Sequence, residues 1–109
     1  MTMRELVCGI RFPDSWTDLD IINNLQRRVL VYSILYYEYD RSPISDYFYD
    51  QVAHGLAELM YNCSIVSESR YHYVFYDFDG STGFNLPERL TDEDREIIMS
   101  IVSYALQNL

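Results

Sequence analysis

Apolar residues recur at spacings of three and four after Thr17, and this period commits the chain to a helical core. Ile22, Leu25, Val29, Tyr32 and Tyr36 lie on one stripe, which Ile21, Leu30, Ile34 and Tyr37 widen, the pattern of a helix with most of one side buried. Ahead of it, Thr17-Asp-Leu-Asp20 places a hydroxyl at the cap and a carboxylate three residues on, the reciprocal pair of a capping box. A helix of roughly five to six turns is expected. It should stop at Asp40-Arg-Ser-Pro43, a cluster of turn formers.

A second helix is expected from Ser45, a good N-cap, with Ile44 positioned to staple onto Tyr49 and Val52, Leu56 and Leu59 continuing an apolar face to about Tyr61. So short a connection makes the pair an antiparallel hairpin. Thr91-Asp-Glu-Asp94 repeats the capping-box signal, and Ile97, Ile98, Ile101, Val102, Ala105, Leu106 and Leu109 follow at helical spacing. Between the helices, Arg70-Tyr-His-Tyr-Val-Phe-Tyr-Asp-Phe78 is dense in aromatic and β-branched residues, which predicts a strand or extended segment. The stretch Arg4 to Phe12, ended by Pro13, reads as a further extended segment or edge strand. The expectation is one domain over 1–109, mainly α with a small β element. Its parts are a hairpin at about 18–61, an aromatic extended segment and loop at 69–90 and a C-terminal helix at about 92–108.

With 109 residues the chain has room for one core. All eight basic residues are Arg, against 17 acidic ones, for a net charge of −9. The absence of lysine removes Schiff-base, nucleotidyl-lysine and phosphate-loop lysine chemistry. The negative charge opposes direct nucleic-acid binding, which draws its affinity from basic side chains on phosphates. No signal sequence or apolar run long enough to span a bilayer is present, so the expectation is a cytoplasmic protein without membrane contact. Cys8 and Cys63, with His54 and His72, match no zinc-ligand spacing, and no metal is expected. Asp79-Gly-Ser-Thr-Gly83 lacks a helix directly after it and reads as a plain turn rather than a phosphate cradle.

Asp46, Tyr49 and Asp50 stand at i, i+3 and i+4, so two carboxylates and a phenol share one helix face, and the turn brings Tyr36 and Tyr37 near it. Rings beside carboxylates suit a planar cation, either nicotinamide or the guanidinium of a protein partner. Packing and helix-dipole effects alone also account for these residue types. The run Leu35-Tyr-Tyr-Glu-Tyr-Asp-Arg-Ser-Pro-Ile-Ser-Asp-Tyr-Phe-Tyr-Asp50 resembles the N-terminal Ia subdomain of bacterial NAD-dependent DNA ligases. Tyr36, Tyr37, Asp40, Ile44, Ser45, Asp46, Tyr49 and Asp50 fall in register, while the proline is displaced by one residue. The segment Phe78-Asp-Gly-Ser-Thr-Gly-Phe-Asn-Leu-Pro87 is similar to the tail of small ligase-related proteins of phages and prophages, in which the hairpin occurs alone. The ligase resemblance implies that Tyr36, Tyr37, Asp46, Tyr49 and Asp50 bind the nicotinamide mononucleotide half of NAD. It does not carry over ligation, because the ligase nucleophile is a lysine of a separate, larger domain.

Ten of the 11 tyrosines lie from Tyr32 to Tyr76, more than a small core needs, and tyrosine is favoured at protein interfaces. Tyr71, Tyr73, Tyr76, Asp77, Asp79, Asp92, Glu93 and Asp94 are therefore the expected partner-binding set, an acidic and aromatic face for a host protein with a basic groove. Two functions are expected from this sequence. The first is a non-catalytic, phage-type inhibitor or modulator of a host nucleic-acid-processing or defence enzyme, resembling anti-CRISPR or anti-restriction proteins in its action. The alternative is a module that binds nicotinamide mononucleotide or NAD without chemistry.

Overall fold

The computed structural model describes residues 10–64, 66–81 and 83–108. Helix α1 (Asp18–Tyr39) is the central element, with Ile21, Ile22, Leu25, Val29, Leu30, Ile34 and Leu35 fully buried. Its N-terminus is the expected capping box: Asp20 N–H donates to Thr17 Oγ1 at 3.2 Å, and Thr17 N–H donates to the Asp20 carboxylate at 2.9 Å. Its end is set by Asp40, which takes the left-handed conformation at φ 51°, and the Asp40 and Arg41 N–H groups both return to the Leu35 carbonyl. An aspartate accepts this conformation more readily than a branched residue would.

Helix α2 (Asp46–Asn62) is capped by Ser45, whose hydroxyl accepts from Phe48 N–H at 3.1 Å. Val52, Leu56 and Leu59 bury its inner face. Ser33 meets Tyr49, and Gln26 meets Met60. Partners therefore descend along α2 as they climb α1, and the hairpin is antiparallel.

The aromatic segment corrects the sequence expectation. Instead of a strand it forms a short helix, α3 (His72–Phe75), preceded by a 3-10 turn at Val66–Glu68, and no strand occurs among the described residues. Two physical causes are visible. Tyr71, Val74, Phe75 and Phe78 are the residues turned into or against the core, a spacing of i, i+3, i+4 and i+7 that only a helical turn satisfies. The backbone donors that a sheet partner would have taken are used by α1 side chains and by local turns. Gln26 accepts from Tyr71 N–H at 3.3 Å and donates to Ser69 Oγ at 3.0 Å, and Asn23 accepts from Arg70 N–H at 2.8 Å. The other expected extended segment, at residues 4–12, lies outside the described residues except for its last three, which form no strand.

Helix α4 (Asp92–Gln107) packs on α1 through Ile98 and Val102. Thr91 caps it by accepting from Asp94 N–H at 3.2 Å, but this capping box is half formed. The Asp94 carboxylate turns instead to Arg70 at 2.8 Å and to the Tyr73 hydroxyl at 2.5 Å. A 3-10 turn at Pro87–Arg89 leads into α4, and Arg89 donates to the Val74 carbonyl at 2.8 Å and to the Asp77 carboxylate at 2.6 Å. Among the described residues, no helix is long and apolar enough to cross a membrane.

Gln26 is fully buried, so its amide matters through what it leaves behind when lost. Replacing Gln26 by Leu keeps the volume while stripping the Tyr71 N–H of its acceptor. A buried unmatched polar group costs about 1 to 3 kcal/mol. The urea midpoint should fall by a corresponding amount at unchanged slope. A midpoint equal to that of wild type would show that the amide tie does not hold this segment.

Candidate functional site

At the closed end of the hairpin lies a pocket of about 290 Å³. Tyr32, Ser33, Tyr36 and Tyr37 come from the last turns of α1, and Asp46, Tyr49 and Asp50 from the first turn of α2. Residues 41–45 of the connection complete the wall, and Ser81 closes it from the later loop. All five residues expected to hold nicotinamide mononucleotide thus line one cavity.

Its floor is built by a close approach between α1, α2 and the 79–86 loop. The Tyr49 hydroxyl lies 3.3 Å from Ser33 Oγ, and the backbone of Gly83 also bonds to it. A Cβ at Gly83 would stand 2.6 Å from the Tyr49 hydroxyl and collide with Ser33 Oγ. Glycine is required here by proximity. At Gly80 the backbone itself requires it, with φ at +88° and the chain pressed against Ala53 and Ala57 of α2. Asp79 shapes the same turn by accepting from the Ser81 N–H at 2.9 Å and the Ser81 hydroxyl at 2.6 Å. The sequence Asp79 to Gly83 is therefore a packed turn, and Thr82 within it lies outside the described residues.

Tyr36 and Tyr37 meet edge to face at 4.9 Å, and Tyr37 meets Phe84 in the same way at 5.1 Å. Tyr36 and Tyr37 line the pocket and are about half exposed, so they form an aromatic ledge in a cavity that two carboxylates also line, while Phe84 lies outside the lining and packs on Tyr37. Tyr49 is different in character. Burial pushes its phenol above the ordinary range, with the Tyr37 and Asp50 charges adding to the rise and the Ser33 and Gly83 hydrogen bonds opposing it. It therefore stays protonated at neutral pH.

The expected partner-binding residues do not form one free face. Tyr71 is 3% exposed and belongs to the core, which removes it as an anchor. Asp77 is held by Arg89, and Asp94 by Tyr73 and Arg70, and these contacts keep both carboxyls below their usual range. Asp79 is likewise lowered, by the two bonds from Ser81. Tyr76 lies under the Arg89 guanidinium at 4.7 Å, although it is exposed. Asp92 and Glu93 remain at the surface of the first turn of α4. Three of the five carboxylates in this set, Asp77, Asp79 and Asp94, are thus engaged by contacts within the chain.

Sequence reasoning missed Ser33, Arg41, Gly83 and Phe84. Ser33 had a readable signal, since it stands three and four residues before Tyr36 and Tyr37 on the same face. Among the described residues, no group of three or more His, Cys, Asp and Glu is placed to hold a metal ion. No family model, curated protein or solved structure matches this chain, and the pocket is read from its own geometry.

The burial of Tyr49 has a consequence for stability at alkaline pH. Its folded value lies above its ordinary value of 10.0, so its contribution is complete below that value and is lost as pH rises through the folded one. Urea midpoints measured at stepped alkaline pH should fall less steeply for Tyr49→Phe than for wild type. Parallel curves would contradict the assignment of a buried, protonated phenol.

Proposed function

We propose that this is a non-catalytic binding protein whose site is the hairpin pocket, and that the pocket takes the nicotinamide mononucleotide moiety, free or as part of NAD. The observation that carries this reading is the convergence of Tyr36, Tyr37, Asp46, Tyr49 and Asp50 on one cavity. A pyridinium ring is planar and cationic. Aromatic faces attract such a cation, and the two carboxylates reinforce that attraction in a partly enclosed site. The volume of about 290 Å³ sits at the small end of ligand pockets, which run from roughly 300 Å³ upward. That size suits a mononucleotide better than a whole dinucleotide. Binding without group transfer agrees with a chain that has no lysine to carry an adenylate.

A second reading is favoured by the surface. Eight of the 11 tyrosines are exposed on a chain of net charge −9. On that reading the protein is a stoichiometric inhibitor of a host nucleic-acid-processing or defence enzyme, and the pocket receives an arginine of the partner's basic groove. The guanidinium is also a planar cation, so the same residues serve. Asp92 and Glu93 would then steer the encounter over long range.

Calorimetric titration with nicotinamide mononucleotide tests the first reading. Asp50→Asn should weaken binding by about 1 kcal/mol or more, since hydrogen bonds to charged groups contribute about 1.5 to 3 kcal/mol. Equal affinities would remove the nicotinamide reading. Association with a captured basic partner at a rate that falls as salt rises would then favour the inhibitor.

A further inference from the structure

The pocket carries both signs of charge. Asp46 and Asp50 stand on the α2 wall, and Arg41 stands on the connection. Acidic residues outnumber arginines in this chain, yet only three of the described arginines form an ion pair. Arg70, Arg89 and Arg95 each pair with a carboxylate at 2.6 to 2.9 Å, and Arg28 donates to Asn24 at 2.7 Å. Arg11, Arg27 and Arg41 form no such pair among the described residues, and of these Arg41 alone lines the cavity. It lines the same cavity as two aspartates, yet its guanidinium makes no ion pair among the described residues. Its backbone is nevertheless fixed, by the left-handed Asp40 before it and by its own N–H on the Leu35 carbonyl at 2.9 Å. An exposed, unpaired guanidinium carried on a fixed backbone at the cavity wall is suited to an anionic group, which it can grip with two parallel donors.

We propose that Arg41 holds the phosphate of the pocket's ligand, so that the site selects a pyridinium ribonucleotide 5′-phosphate over the corresponding nucleoside. This rests on the nicotinamide reading of the pocket and adds a specificity-determining residue to it. The two aspartates repel a phosphate and attract the ring, which directs the cation toward α2 and the anion toward the connection. The ligand is thus bound in one orientation, as a dipole against a dipole.

The test is calorimetry of the full chain with nicotinamide mononucleotide, nicotinamide riboside and ribose 5-phosphate, in wild type, Arg41→Ala and Arg41→Lys. Wild type should bind the mononucleotide about tenfold or more tighter than the riboside, the factor that a charge-assisted contact supplies. In Arg41→Ala that ratio should fall to near one with riboside affinity unchanged, and Arg41→Lys should restore part of it, because it keeps the charge without the planar fork. Equal binding of mononucleotide and riboside by wild type, or a ratio that survives in Arg41→Ala, would overturn the role of Arg41 and leave the planar-cation reading standing. Binding of ribose 5-phosphate alone, lost in Arg41→Ala, would support the phosphate contact and overturn the nicotinamide reading. Binding of none of the three overturns both.

Discussion

The Gln26 side chain is the joint on which the rest of the fold depends. It is buried in the middle of α1 and uses both ends of its amide, one on Ser69 and one on the backbone of Tyr71. This ties a polar, aromatic-rich segment to the central helix and sets it in turns. The folded segment then presents the Val74 carbonyl and the Asp77 carboxylate to Arg89. Arg89 in turn fixes the 3-10 turn that closes the later loop, and that loop sets Gly83 against Ser33 and Tyr49. A buried hydrogen bond is modest in net strength, but a broken one is costly. The geometry of the pocket floor is therefore connected to an amide about two turns away along α1 by a short series of specific contacts.

The pocket itself follows from how the hairpin turns. Asp40 ends α1 in the left-handed conformation and Ser45 caps α2, so six residues join the two helices, and residues 41–45 of them line the pocket. Further along, Leu25, Val29, Val52 and Leu56 fill the space between them. At the turn the side chains are tyrosines, serines and aspartates, which cannot close the gap as a dry core would. Tyr36 and Tyr37 remain about half exposed in consequence. Apolar rings left at a surface beside unneutralised carboxylates contribute little to folding, and they gain most when a cation covers them.

The helical frame was legible because its signals were redundant. Periodicity, a hydroxyl cap and a turn cluster agreed for α1 and α2, and the i, i+3, i+4 spacing of Asp46, Tyr49 and Asp50 after a short turn put them near Tyr36 and Tyr37, with which they line one cavity. The segment from Arg70 to Phe78 misled because its composition favours a strand while its burial has the helical period. Strand propensity needs a neighbouring strand to act on, and Asn23 and Gln26 had already taken the backbone donors. The internal contacts of the expected partner face were hidden for a related reason. Local charge counts do not show that Arg70 and Arg89, both close in sequence to the aromatic run or the following turn, fold back onto Asp94 and Asp77. Arg41 and Gly83 were hidden because their roles depend on what lies opposite them in space.

The central claim is that the hairpin end is a binding site for a planar cation. Amide chemical shifts of the uniformly labelled chain, followed during titration with nicotinamide mononucleotide, test it most directly. The account predicts saturable shifts concentrated at residues 36–50 and at Gly83, with the α4 residues 92–104 still. Shifts that fail to saturate, or that cluster on α4 while the hairpin turn is unmoved, would contradict it.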